Sequence, residues 1–411
     1  MLRVLPASSA DALALVDRRV TRDPGLRRKV RTIVDAVRRE GDAALSRYAR
    51  RFDHLDGDIE VSAPEMRRLA NTARLEVRRA VAACARNIRR AARAQLPRPT
   101  RIVVAPGVTI DQTVTPLARV GCYVPGGRFP LPSSLLMTAV TARTAGVRDI
   151  VVMCPRVDAV VAAAAIEAGV TRLFRVGGAH AVAALAYGTA RVPRADKIVG
   201  PGNRYVAAAK AMVASDCPID FEAGPTELVW VTDRARPEWV ARDILAQAEH
   251  DTDARAFLVT TSLAEAEAVR DEVVRLAPAS GVAATALALN GAALVAGSRR
   301  EVLEIVNRLA PEHLATDDAW LVAQRPAAGT VFVGAYAAPA AGDYATGSNH
   351  VLPTAGAARF RGGLTAADFV RVVAVQRVTR AGLRGIAETA MVMSRVEGLT
   401  AHAASIEARV T

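Results

Sequence analysis

The sequence predicts an α/β protein: two Rossmann-like parallel-sheet domains with helical N-terminal and C-terminal extensions. Three observations predict it. Short apolar runs alternate with Ala-rich helical segments, over residues 149–199 and again over 227–333. Repetition of this kind implies parallel strands joined by right-handed crossovers. The 411 residues exceed what one core usually fills, so two packed units are expected. Helical patterning dominates the first 95 residues and returns after Gly363.

Taken in order, Asp23-Pro24 is a helix start, with Asp as N-cap and Pro at the first helical position. Ser62-Ala63-Pro64-Glu65 reads as a capping box that opens one long helix ending near Pro97. A strand-rich stretch follows over 101–123. The alternating part then offers strands at 149–154, 172–176, 197–199, 227–232 and 256–260, with a helix over 237–250.

Composition narrows the function classes. Just over half of the residues are hydrophobic (51%) and 23% are charged, a globular balance that argues against disorder. The net charge of +13 raises the question of nucleic acid, yet the basic residues are nearly all Arg. They sit singly or in pairs along helical stretches such as 77–93, and aromatics make up only 4%. This describes a solvated Arg-rich surface, one that would also attract an anionic cofactor, and no nucleic-acid or membrane partner is expected. Cys84, Cys122, Cys154 and Cys217 lie far apart without a CxxC pair, which fits a reducing cytoplasm. The first 20 residues carry Asp11, Asp17, Arg18 and Arg19 and do not read as a signal peptide. No apolar run reaches the roughly 18 to 20 residues of a membrane span.

The histidines keep informative company. Gln247 and His250 are three apart, so on a helix they share a face. His313 follows Pro311-Glu312, His350 follows the turn-like Gly347-Ser348-Asn349, and His402 lies five residues after Glu397. Asp343 sits in a Gly-containing loop. Together His, Asp and an amide oxygen supply the nitrogen and oxygen donors that zinc takes. Glu312-His313 is a candidate acid–base pair whose members, on a helix, would address different sides of a substrate; the alternative is a plain helix N-terminus. The Gly-rich segments 121–127 and 200–203 follow strands and precede helices. They read either as anion or nucleotide sites or as ordinary strand–helix turns, since GxGxxG is absent.

Eight blocks resemble the histidinol dehydrogenase family in the family's own order: GCYVPGGRFPLPSSLLM (121–137), GGAHAVAALAYGT (177–189), KIVGPGNRYVAAAK (197–210), IDFEAGPTELVWVTD (219–233), DILAQAEHD (243–251), APEHL (310–314), GDYATGSNHVLPT (342–354) and EGLTAH (397–402). The resemblance implies oxidation of L-histidinol, through L-histidinaldehyde, to L-histidine with two NAD and one zinc ion per subunit. It implies Gln247, His250, Asp343 and His402 as metal ligands and Glu312 and His313 as the catalytic pair. Thr226, His350 and Glu397 would touch the substrate, together with Gln247, His250, His313, Asp343 and His402. Tyr123, His180 and Asn203 match positions that contact NAD. It further implies a homodimer with shared active sites, in which Glu397 and His402 reach the partner's site. On this reading the chain divides into an N-terminal helical extension (1–19), a first α/β domain with the metal and catalytic residues (20–122 and 227–365), a second on the NAD side (123–226), and a partner-swapped helical tail (366–411). Two positions depart from the family pattern: His180 stands where Gln is usual, and Thr226 where Ser is common. A paralogue on the same scaffold acting on another alcohol, such as a sulfonated diol, is the nearest alternative, and a basic nucleic-acid-binding protein a more distant one.

Overall fold

The computed structural model describes residues 2–17, 23–126, 130–222 and 224–411. Gly127, the last residue of the first Gly-rich segment, and Ala223 lie outside them. Two parallel sheets organise the chain, as the alternating pattern predicts. The first has six strands, all parallel, in the order Arg3–Pro6, Gly291–Val295, Arg255–Thr260, Glu227–Val231, His313–Thr316, Thr330–Val333. Strand order reverses between Glu227–Val231 and His313–Thr316, a doubly wound switch point. The second sheet runs Glu60–Val61, Arg172–Phe174, Asp149–Met153, Arg119–Tyr123, Lys197–Val199. Only its two-residue edge strand, Glu60–Val61, is antiparallel. Its switch point lies between Arg119–Tyr123 and Lys197–Val199.

Both sheets are covered on both faces, so their central strands read as unbroken apolar runs. Val120, Cys122, Ile150, Val152 and Leu173 pack on one side of the second sheet, while Val151, Met153, Phe174 and Ile198 pack on the other. The first sheet repeats the alternation with Leu228, Trp230 and Leu258 against Val229, Val231, Phe257 and Val259. Cys122, Cys154 and Cys217 are buried and all four cysteines are free. Among the described residues no helix is long and apolar enough to cross a membrane.

Several expectations change. The N-terminal extension is not purely helical: Arg3–Pro6 is an edge strand of the first sheet, followed by helix Ala10–Val16. The long helix expected from Ser62 is two helices, Ala63–Asn71 and Leu75–Ala94. Thr72 turns its hydroxyl onto the Leu69 carbonyl at 2.7 Å, a local bond that competes with helix continuation. Strand Val370–Val378 precedes the tail helices Arg380–Val396 and Thr400–Val410, and it pairs antiparallel with Val108–Pro116 over its whole length. With Thr100–Ala105 these form a separate three-stranded sheet. The sheets also partition the chain differently from the expected domains. Glu60–Val61 and Arg119–Tyr123 belong to the second sheet, and helix Pro24–Glu40 packs on helix Gly178–Tyr187 beside it.

Candidate active site

Glu312 and His313 do not open a helix. Helix Arg299–Leu309 ends on Ala310 in the left-handed region (φ 43°), Pro311-Glu312 follow, and His313 begins a strand. The chain there is held by backbone bonds from Gly329 N–H to the Pro311 carbonyl (2.9 Å) and from Thr330 N–H to the Glu312 carbonyl (3.0 Å). Both side chains are buried and, contrary to the helical expectation, they face each other: Glu312 Oε2 lies 3.8 Å from His313 Nδ1. Asp343 Oδ1 lies 3.6 Å from Nε2 on the other side of the ring. Both ring nitrogens are buried, and neither has a hydrogen-bond partner. The Phe332 ring, 5.7 Å away between centroids, backs the imidazole. Gly342 packs against that same ring, where any Cβ would stand 2.4 Å from it, and this close approach seats Asp343.

Electrostatics follow from this burial. Desolvation raises the Glu312 pKa, although His313, the Thr226 hydroxyl and the Glu227 N–H each favour the carboxylate. Burial works against charge on His313 too, but the Glu312 and Asp343 carboxylates outweigh it and raise its pKa. For Asp343 burial pushes upward, while His313, His350 and His250 prevail and hold it below the usual carboxylate range. His350 is driven down, chiefly by burial.

Thr226 stands just before strand Glu227–Val231, at the amino end of the switch point. Its hydroxyl lies 2.5 Å from Glu312 Oε2, the Glu227 N–H donates to the same oxygen at 3.0 Å, and the Gln247 amide N–H donates to the hydroxyl. Gln247 is buried in the last turn of helix Pro237–Ala248. His250, expected on the same helix, lies two residues past its end and is exposed. Its Nδ1 faces the Ala246 carbonyl at 3.0 Å, which leaves Nε2 open. His350 sets Nδ1 on the Asp343 carbonyl at 3.0 Å and Nε2 at 3.4 Å from the Ser134 hydroxyl. Ser134 belongs to helix Pro132–Thr144, which follows the second sheet's switch strand. The cluster therefore adjoins that sheet.

The donor chemistry fits a divalent cation of the zinc type: an open imidazole nitrogen on His250, a free amide oxygen on Gln247 and the carboxylate of Asp343. Among the described residues no three His, Cys, Asp or Glu side chains gather as a metal group. His402, the fourth expected ligand, is exposed on helix Thr400–Val410, and Glu397 is exposed at the end of helix Arg380–Val396.

The residues expected on the cofactor side gather at the carboxyl end of the second sheet, where ligands of open α/β sheets bind. Tyr123 is buried at its strand end and its hydroxyl accepts from the Gly178 N–H at 3.0 Å. Asn203 is exposed and caps helix Arg204–Val213, its Oδ1 accepting from Tyr205 and Val206 N–H. Gly200 (φ 117°) crosses so close to Tyr123 that a Cβ would stand 2.1 Å from the Tyr123 carbonyl oxygen. Asp220 accepts from the Gly200 N–H at 2.7 Å, the Lys210 ammonium donates to the Gly200 carbonyl at 2.8 Å, and the two charges form a fully buried ion pair. His180 is only 1% exposed, with Nε2 2.9 Å from Asp53, which also accepts from the Gly177 N–H at 3.1 Å. Sequence reasoning missed Asp53, Ser134, Lys210, Asp220 and Glu227. None lies near its partner in a recognisable spacing.

Known proteins sharpen the picture. Residues 16–410 match the family model described as histidinol dehydrogenase. The chain is 42% identical over 404 residues to histidinol dehydrogenase of Pseudomonas aeruginosa, covering 94% of this chain and 92% of that one. It is 44% identical over 411 residues to the Halobacterium salinarum enzyme of the same name, covering 96% of each. A crystal structure of histidinol dehydrogenase from Elizabethkingia anophelis superposes with a TM-score of 0.94 at 31% identity, covering 100% of this chain and 98% of that one.

Proposed function

From the premise that the chain belongs to the histidinol dehydrogenase family, we propose that it oxidises L-histidinol, through L-histidinaldehyde, to L-histidine, the last steps of histidine biosynthesis. The observation that carries the reading is the buried pair Glu312 and His313, flanked by the half-buried Asp343 and joined by Thr226, at the amino ends of the switch-point strands. Four waiting donors, Gln247, His250, Asp343 and the partner subunit's copy of position 402, would hold zinc. When bound, zinc would orient the substrate's nitrogens and polarise its oxygen, and NAD would accept the two hydrides.

His313, its ring nitrogens unpartnered and its pKa raised between two carboxylates, takes the alcohol proton. Glu312, a carboxylate made more basic by burial, then draws a proton from the water that attacks the aldehyde. Asp343 steadies the charged imidazole. His350, Thr226 and the partner's copy of position 397 would line the substrate pocket. Tyr123, Asn203 and the turn around His180 would receive NAD. Glu397 and His402 are exposed on the tail, consistent with a homodimer in which each tail completes the other subunit's site.

The test is Glu312→Gln, assayed separately on alcohol and aldehyde. Alcohol oxidation should stay measurable while aldehyde oxidation falls by about 10²- to 10⁴-fold. Equal slowing of both steps would refute this division of labour.

A further inference from the structure

We infer that Thr226 is a positioning residue whose single hydroxyl fixes both the metal-facing amide of Gln247 and the carboxylate of Glu312. The inference rests on the zinc-dependent reading above. A hydroxyl has one hydrogen to give and lone pairs to receive. Thr226 Oγ1 touches two side chains, Glu312 Oε2 at 2.5 Å and the Gln247 amide. Glu312 Oε2 is an acceptor here, taking the Glu227 N–H as well, so the hydroxyl hydrogen goes to Glu312. What remains on the oxygen is a lone pair, and only the NH2 end of the Gln247 amide can satisfy it. The direction of the chain is thereby set from the carboxylate outward. Gln247 must turn its nitrogen to Thr226, and its Oε1 is the atom left for a cation, which binds oxygen and never an amide NH2.

The surroundings hold this relay in place. The Thr226 carbonyl accepts from the Arg255 N–H at 2.9 Å, which ties residue 226 to the neighbouring strand. The Glu227 N–H gives Glu312 its second bond. Gln247 is buried, so an amide turned the wrong way would leave an NH2 pointing at the cation and an oxygen facing the hydroxyl oxygen. A threonine also has fewer accessible rotamers than a serine, so its hydroxyl is pre-aimed.

Valine has threonine's shape without its hydroxyl. Zinc affinity is measured by chelator competition on the full-length protein in its native assembly, for wild type, Thr226→Val, Thr226→Ala and Thr226→Ser. Thr226→Val and Thr226→Ala should bind zinc about 10- to 100-fold more weakly, while Thr226→Ser stays within about threefold of wild type. The KM for NAD should not move in any of them. The smaller Thr226→Ala variant decides the matter if valine prevents folding. Thr226→Ala or folded Thr226→Val protein holding zinc within about twofold of wild type would overturn the inference. Competition needs no turnover, so its outcome is independent of the substrate. Wild-type protein that binds zinc but ignores L-histidinol would refute the proposed function and leave the Thr226 comparison standing.

Discussion

A carboxyl group cut off from water clings to its proton, and Glu227 is the plainest case. Burial, opposed by Arg255 3.1 Å away and helped by Glu312, pushes it up to about 7 from an ordinary 4.5. The folded form thus binds a proton more readily than the unfolded chain between those two values. Stability from this group is fully present below pH 4.5 and is lost as pH rises to about 7. Glu227→Gln should therefore flatten the fall in unfolding free energy across that window, read as denaturant midpoints at several pH values. An unchanged slope would show that another group carries it. Residues of this kind are invisible to pattern reading. Glu227 meets Arg255 through strand register, and His180 meets Asp53 through the packing of two helices. By contrast Glu312 and His313, adjacent in a short motif, stood out in the sequence, though spacing alone left a plain helix N-terminus as the alternative. Their mutual orientation was not, because it depends on the strand that His313 begins.

The Gly200 turn shows how an element can be shaped from beneath. Lys210 and Asp220 grip its carbonyl and its N–H, and the Tyr123 backbone leaves no room for a Cβ. Gly200→Ala combines that collision with a φ of 117°, which side chains rarely adopt, so it should cost about 1 to 3 kcal/mol and raise the KM for NAD. Thermal midpoints and initial rates against NAD measure the two effects, and a normal KM would detach this turn from cofactor binding. The glycine spacing marked the turn in the sequence but left its purpose open. Capping signals located helix starts well: Asp23 and Ser62 both accept from the N–H groups expected of N-caps. Helix ends and the tail strand were harder. Val370–Val378 is rich in Val but has no clean alternation with polar residues, so its sequence did not separate it from the helices that follow.

At the scale of the molecule, the chain builds two mainly parallel sheets: the amino ends of one carry the Glu312–His313 cluster, and the carboxyl ends of the other carry the Gly177 and Gly200 turns. The alternation of strands and helices predicted both sheets, yet how segments before residue 123 divide between them depended on helix packing that no local pattern encodes. If the tails are exchanged between subunits, mixing Glu312→Gln protein with His402→Ala protein under dissociating conditions should restore aldehyde oxidation, the step that neither parent carries out. In such a hybrid one site draws both intact halves, and the regained rate should approach a quarter to a half of wild type. Two inactive parents that give only inactive mixtures would argue for self-contained subunits. The tail itself is fastened at its root by a nine-residue ladder, and its helices beyond are largely bare, with Val392, Met393, Val396 and Leu399 exposed. Shortened proteins should therefore fall into two kinds. A chain stopped at Thr379 keeps the ladder closed and should elute as a well-behaved species in size-exclusion chromatography. One stopped before Val370 strips the cover from Val108–Pro116, and that naked border, free to recruit strands from other molecules, should send the protein into aggregates.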